Sequence, residues 1–299
     1  MSARSRFRLF KFPVKNQLHR FTRSKFGSFL FFAILISGGL FSVLPLVYCI
    51  TTSFKPLDEL LIFPPTLFTV KRPTIANYTA IPDLLSGLSV PITRYAFNSI
   101  FVSIIGTFLS IIISAMAAFV LSKTEMKFNK LIFTVVQFSL LFNAYTLSVP
   151  QYIVYSKIGI INTYLAYIVP AAASSMGVFL MKQYMDGYVP YALIEAAHID
   201  GAGWIGIFTR IVLPIVRPCV LTLVMFSFLG IWNSVPAGTI FSESLKTLPT
   251  VMSTIAAGGL ARSGSSMATS VILMIFPIAV YLISQGSIKE TMGSAGIKG

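Results

Sequence analysis

Charge is scarce in this 299-residue sequence: charged residues make up 11% of it, and nine acids stand against 23 Lys and Arg. Soluble domains carry roughly a quarter charged residues, so a freely soluble globular chain is excluded. Cysteine is nearly absent as well. Cys49 and Cys219 lie in or beside apolar runs far apart in the sequence, which leaves neither a disulfide framework nor a metal-ligand cluster; both read as packing residues. The histidines, His19 and His198, have no Cys, Asp or Glu at metal-binding spacing other than Glu195 and Asp200. No carboxylate pair falls inside an apolar run, so the ionisable relay of a proton-coupled carrier is missing. A phosphate loop is missing too: the nearest stretch, Gly259 to Ser266, reads GLARSGSS and puts Ser265 where a lysine would have to reach the phosphates. No ATP site is expected on this chain.

What the sequence has in excess is apolar surface. Hydrophobic residues account for 55% and mean hydropathy is +0.81, and at about 20 residues per crossing there is room for roughly six spans. An all-α, polytopic membrane protein is predicted, with spans over about 27–52, 94–122, 131–150, 161–185, 214–234 and 267–286. Pro170 and Pro277 fall inside the fourth and sixth and predict kinks. In the second, Gly106, Ser110, Ser114 and Ala118 recur every four residues, a small-residue stripe of the kind that lets membrane helices approach closely. Residues 53–92 and 235–266 are broken by Pro, Gly and Ser, so they read as loops outside the hydrocarbon. The domain reading is a basic tail over 1–26, one membrane domain over 27–288 and a short tail over 289–299.

The net charge of +14 is explained by orientation, not by nucleic acid. Eight basic residues between Arg4 and Lys25, together with Lys123, Lys127, Lys130, Lys182, Arg210, Arg217, Lys289 and Lys298, fall on one set of alternating sides, which takes 16 of the 23. The other side receives Lys55, Lys71, Arg72, Arg94, Lys157, Lys246 and Arg262. Positive residues stay inside, so both termini and residues 186–213 are expected in the cytoplasm of a cell membrane.

One polar-marked stretch late in the chain, Pro190 to Pro214, stands out. Pro190 presets a first helical turn, good helix formers follow, and Gly201 stands where a left-handed cap would end the helix. Leu193, Ala197 and Gly201 fall four apart, as do Ala196 and Asp200, leaving one side nearly bare of bulk between the acids Glu195 and Asp200. Trp204, Ile207, Phe208 and Ile211 then form an amphipathic stripe. Glu195-Ala196-Ala197, three residues, Gly201, nine residues and Ile211-Val212-Leu213-Pro214 resemble the EAA loop of permease subunits of binding-protein-dependent ABC importers.

The resemblance runs through the basic tail, the six spans, and a 190–214 loop between spans four and five, and is greatest to the carbohydrate, maltose-type branch. It implies a type I importer permease fold in which Glu195, Ala196, Ala197, Asp200, Gly201, Ile211, Leu213 and Pro214 dock a coupling helix on an ATPase. It also implies a second permease, expected to be a different chain, two ATPase subunits that use ATP and Mg, and an extracytoplasmic solute-binding protein. This chain itself is expected to carry no cofactor, no metal and no catalysis. The C-terminal run from Lys289 resembles permeases that import oligosaccharides, some of them acidic. Gln137, Asn143, Tyr145, Trp232 and Asn233, polar or aromatic groups at membrane depth, are the candidate substrate pathway; each can equally bridge helices or anchor at an interface. Two competing readings are an importer of amino acids or peptides and a self-sufficient channel or membrane enzyme. The last would call for intramembrane carboxylates, histidine clusters or a filter loop, and the sequence has none.

Overall fold

The computed structural model describes residues 25–295 apart from 65, 87–89, 143 and 236–237. The N-terminal tail up to residue 24, which carries seven of the 16 basic residues behind the expected orientation, therefore lies outside the described residues. Every regular element among those described is helical: α1 Lys25–Ser53, α2 Leu57–Leu60, α3 Ala76–Leu84, α4 Ile92–Lys123, α5 Asn129–Ser139, α6 Ala144–Lys157, α7 Leu165–Ala172, α8 Ser175–Tyr188, α9 Tyr191–Ile199, α10 Trp204–Ile207, α11 Leu213–Ile215, α12 Arg217–Trp232, α13 Leu248–Ala256 and α14 Ser263–Ala295.

The chain divides into two compact units, residues 1–47 and 48–299. The described part of the first is most of α1, an apolar helix long enough to cross a membrane. Its hydroxyls are satisfied within the helix, Ser37 Oγ on the Ile34 carbonyl at 3.0 Å and Ser42 Oγ on Gly38 at 2.9 Å, as a segment surrounded by hydrocarbon requires.

In the second unit α4 is the axis. Its 32 residues reach about 48 Å at 1.5 Å per residue, and it packs against α7, α8 and α12. The small-residue stripe makes this possible, since Gly106, Ser110, Ser114 and Ala118 are all buried. A Cβ added to Gly106 would lie 2.9 Å from Ile231 Cδ1 of α12, and one added to Gly177 of α8 would lie 2.4 Å from Ser114 Oγ. Backbones this close gain dispersion and exclude lipid.

Each end of α4 carries its own core. At its N-terminal end Tyr95 joins Ile81, Leu85, Leu248, Val251, Met252, Ile255 and Ala268. Fully buried Asn98 ties this end together, donating to the Ser244 and Lys246 carbonyls at 2.8 and 2.9 Å and accepting from Tyr164 Oη at 2.7 Å. At the C-terminal end Ala115, Ala118 and Phe119 meet Met181, Met185 and Val189 of α8. The two expected loops, 53–92 and 235–266, thus gather at one end of α4, and residues 190–214 gather at the other.

Among the described residues four helices are long and apolar enough to cross a membrane, Phe26–Ser53, Ile92–Lys123, Leu165–Tyr188 and Ser263–Gln285, and a fifth if Trp204–Ile215 and Arg217–Trp232, bent by 80°, count as one. The third expected span, 131–150, is not one helix. It is met by α5 and α6, of 11 and 14 residues, each shorter than the ~30 Å hydrocarbon layer. The fourth breaks three residues after Pro170, where Ser174 Oγ accepts from the Gly177 amide at 3.0 Å and caps a new helix. The sixth does not break at Pro277, and α14 runs on to Ala295, past the expected boundary of the short tail. The second expected loop contains a true helix, α13, whose buried Leu248, Val251, Met252 and Ile255 follow a clean i, i+3, i+4, i+7 pattern.

Candidate functional site

Residues 190–214 are held to the C-terminal end of α4. Pro190, at φ −63° and ψ 142°, caps α9, and the helix closes at Gly201, whose φ is 81°. There the Gly201 amide bonds the His198 carbonyl at 3.0 Å and the Ala202 amide the Ala197 carbonyl at 2.9 Å, using up carbonyls that a helix end leaves bare. A Cβ at Gly201 would meet nothing within 4 Å, so the glycine serves its left-handed dihedral, not a close approach.

One face of α9 is committed to the protein. Ile194 is 2% exposed and Ala197 7%, and with Ile207, Val212 and Val216 they complete the core at the ends of α4 and α8. Ile207 and Val212 are five apart yet both fully buried, because residues 208–212 form one wide π-type turn. A 3.6-residue period cannot place both on one side. Lys123, buried at the end of α4, donates to the Val189 carbonyl at 2.7 Å, and Tyr191 Oη donates to the Lys123 carbonyl at 3.4 Å. Asp186 receives Ser122 Oγ at 2.5 Å and Lys182 Nζ at 2.6 Å. Phe119 lies 5.3 Å from Phe208 and 6.0 Å from Trp204, whose indole meets His198 edge-on at 4.3 Å.

The opposite face is open. Glu195, Ala196, Asp200 and Gly201 are exposed, and beside them Ile199 is 87% and Ile205 80% exposed. Neither Glu195 nor Asp200 forms an ion pair among the described residues. This divides the motif into two groups. The bare side expected through Leu193, Ala197 and Gly201 is not one surface, since Ala197 turns inward, while Ile211 and Leu213 are half-buried against the same core and Pro214 is exposed. Ile199 and Ile205 were not among the residues expected to dock. Their signal was present, as large apolar side chains off the inward stripe.

Of the five pathway candidates, Gln137, Trp232 and Asn233 lie among the residues whose side chains are described. Gln137 is exposed on α5. Trp232 is 2% exposed, stacked on Phe228 at 5.7 Å and tilted against Phe276 of α14 at 4.9 Å, which makes it a packing residue between α12 and α14. Asn233 is exposed and returns its amide to the Leu229 carbonyl at 3.0 Å. Asn143 and the Tyr145 side chain lie outside the described residues. A cavity of about 390 Å³ opens instead where α4, the α7–α8 break and α12 meet, lined among others by Ser110, Tyr167, Ser174, Phe226, Ser227 and Ser234. Gln137, Trp232 and Asn233 are not among its lining residues. Irregular backbone at membrane depth is tolerated where it lines such a space; Ser110 had been read only as a packing residue.

Relatives decide what kind of molecule this is. The sulfoquinovosyl glycerol transport system permease protein SmoH of Agrobacterium fabrum is 29% identical over 277 residues, 91% of this chain and 93% of that one. The inner membrane ABC transporter permease protein YcjP of Escherichia coli is 27% identical over 286 residues, 93% and 98% of the two chains. The polygalacturonan/rhamnogalacturonan transport system permease protein YtcP of Bacillus subtilis is 28% identical over 216 residues, 71% of each. The chain's relatives are sugar ABC transporter permeases. This permease matches no family model. A chain of a bacterial ABC transporter involved in the import of the acidic polysaccharide alginate shares its fold, with a TM-score of 0.73 at 18% identity over 89% of this chain and 99% of that one. The permease is accordingly a transport protein and not an enzyme.

Proposed function

We propose that this permease is one of two membrane subunits of an importer whose energy comes from separate ATPase subunits, which use ATP and Mg, docked on residues 190–214. The observation that carries this reading is the split of α9: Ile194 and Ala197 fix it to the ends of α4 and α8, while Glu195, Ile199, Asp200 and Ile205 stand bare on the far side. A helix clamped on one face transmits a push. Because that face is packed on the ends of α4 and α8 and the start of α12, and Tyr191 donates to the Lys123 carbonyl, motion of a docked partner must move the spans and cannot merely bend a loop. Ala197, Ile211 and Leu213 serve the clamp; Glu195, Ala196, Asp200, Gly201 and Pro214 serve the contact.

In the same reading α5 and α6 together complete the third of six crossings, both termini face the cytoplasm, and an extracytoplasmic solute-binding protein delivers cargo at the end of α4 where Asn98 lies. The partner permease is a different chain. The cargo is an acidic oligosaccharide, in keeping with the polygalacturonan named for the Bacillus relative and the alginate named for the structural neighbour. The test is ATP hydrolysis by the reconstituted complex in vesicles. With its binding protein present, galacturonate oligomers should stimulate turnover and neutral malto-oligomers should not; stimulation by amino acids or peptides alone would overturn the saccharide reading.

A further inference from the structure

We propose that residues 61–64 and 66–68 form a foot that inserts apolar side chains into the lipid headgroup layer on the side of the membrane where α4 begins. Leu61, Ile62, Leu67 and Phe68 are exposed, and Phe63 is 91% exposed, in a loop that is otherwise braced with unusual care. The carboxylate of buried Glu59 accepts the Lys71 amide at 3.0 and 3.2 Å and the Arg72 amide at 3.4 Å, which joins the two legs of the loop. Buried Lys55 donates to the Thr66 carbonyl and, at 3.0 Å, to Thr66 Oγ1. At the base, Asn77 donates to the Ser53 and Lys55 carbonyls, each at 2.8 Å. Two buried charges are thus spent on fixing the backbone of a loop whose largest apolar groups point away from the protein. A solvated loop would fold such groups inward.

The depth of the foot follows from one bond and one close approach to membrane spans. Thr51, two residues before the end of the apolar span Phe26–Ser53, donates to the Leu67 carbonyl at 3.1 Å, so Leu67 lies level with the last turn of that span. Gly264 opens the span Ser263–Gln285 and abuts the loop's base so closely that a Cβ there would fall 2.4 Å from Asn77 Oδ1. Both place the loop at a membrane surface. Its rim suits that surface, since Lys71 and Arg72 are exposed a few residues beyond Phe68, where cations meet lipid phosphates. Of the nearby acids, Asp58 is paired with Arg72 and Glu59 is buried on backbone amides. Bare Leu, Ile and Phe beside basic residues is the composition of an interfacial anchor. The loop is bonded to the last turn of an apolar span, which favours lipid over a soluble partner as its occupant.

The test is spin-label accessibility in the assembled transporter, in vesicles of phosphatidylethanolamine and phosphatidylglycerol at about 3:1. In a Cys49→Ala/Cys219→Ala background, labels at Phe63→Cys and Phe68→Cys should collide with oxygen in preference to a water-soluble nickel chelate, with a ratio several-fold above that at exposed Asp83→Cys. A ratio at Phe63 equal to that at Asp83 would show the foot in water and overturn the proposal. Labels shielded from both quenchers would show a protein partner over the foot and overturn it equally.

Discussion

Gly201 and Gly206 both have open space where a Cβ would go, yet only Gly201 holds a positive φ, 81°. Gly201→Ala should therefore cost about 1 to 2 kcal/mol at the end of α9, whereas Gly206→Ala, inside α10, removes freedom from the unfolded chain and should leave stability unchanged or slightly raised. Melting temperatures of the detergent-solubilised complex distinguish the two, and equal losses would contradict this reading. A second pair tests the packing of α4. Gly177→Ala puts a methyl into Ser114, while Gly106→Ala meets only the end of the Ile231 side chain, which can turn aside. Overpacking costs typically 1–3 kcal/mol, so Gly177→Ala should be the more destabilising, and Ser114→Gly should restore it; no rescue would mean that α4 and α8 do not meet there. Residues whose role is local were legible in the sequence: Pro190 and Gly201 at the ends of α9, and the stripe from Gly106 to Ala118. Trp232 was not, because an indole at membrane depth suits an interface, a pathway or a core, and only the placement of Phe228 and Phe276 around it decides.

Among the elements, α9 is tied to α4 by few groups, and Lys123 is the most exposed to test. Its buried ammonium satisfies the Val189 carbonyl at the end of α8, so Lys123→Met keeps the length of the side chain and leaves that carbonyl unpaired, at a cost of about 1–3 kcal/mol. The variant should insert normally but import more slowly per molecule, because the clamp is looser; wild-type uptake at equal abundance would contradict it. Orientation can be read with reporters that are active only outside the cytoplasm. A fusion after Ser244 should be active and one after Gly203 silent, since these residues lie at opposite ends of α4; the reverse result would invert the whole topology. Helix identity was legible wherever one long apolar run persisted, as in α1 and α4. It failed at 131–150, where the apolar run divides into α5 and α6, and at 208–212, where the wide turn brings Ile207 and Val212 onto one face. It also failed at α13, whose regular apolar spacing was masked by the Gly, Ser and Pro on either side.

For the whole molecule, the division of labour is the main point. The chain has no phosphate loop and its relatives are transport permeases, so the purified subunit alone should hydrolyse ATP no faster than buffer. The helical class and the family were legible because they rest on long apolar runs and a spaced motif; the cavity was not, because it depends on which faces of separated helices converge, as Ser110, Ser174 and Ser227 do around it. The central claim is that the bare face of α9 docks the ATPase. Glu195→Lys opposes a charge in a contact that excludes water, where like charges are costly, and Ile199→Asp removes the most exposed apolar side chain of that helix. The measurement is recovery of the ATPase with an affinity-tagged permease. Both variants should retain the partner permease and lose the ATPase by about tenfold or more, corresponding to about 1.4 kcal/mol or more, and import should fall with it; ATPase recovery and uptake near wild type in both would show that α9 is not the coupling element.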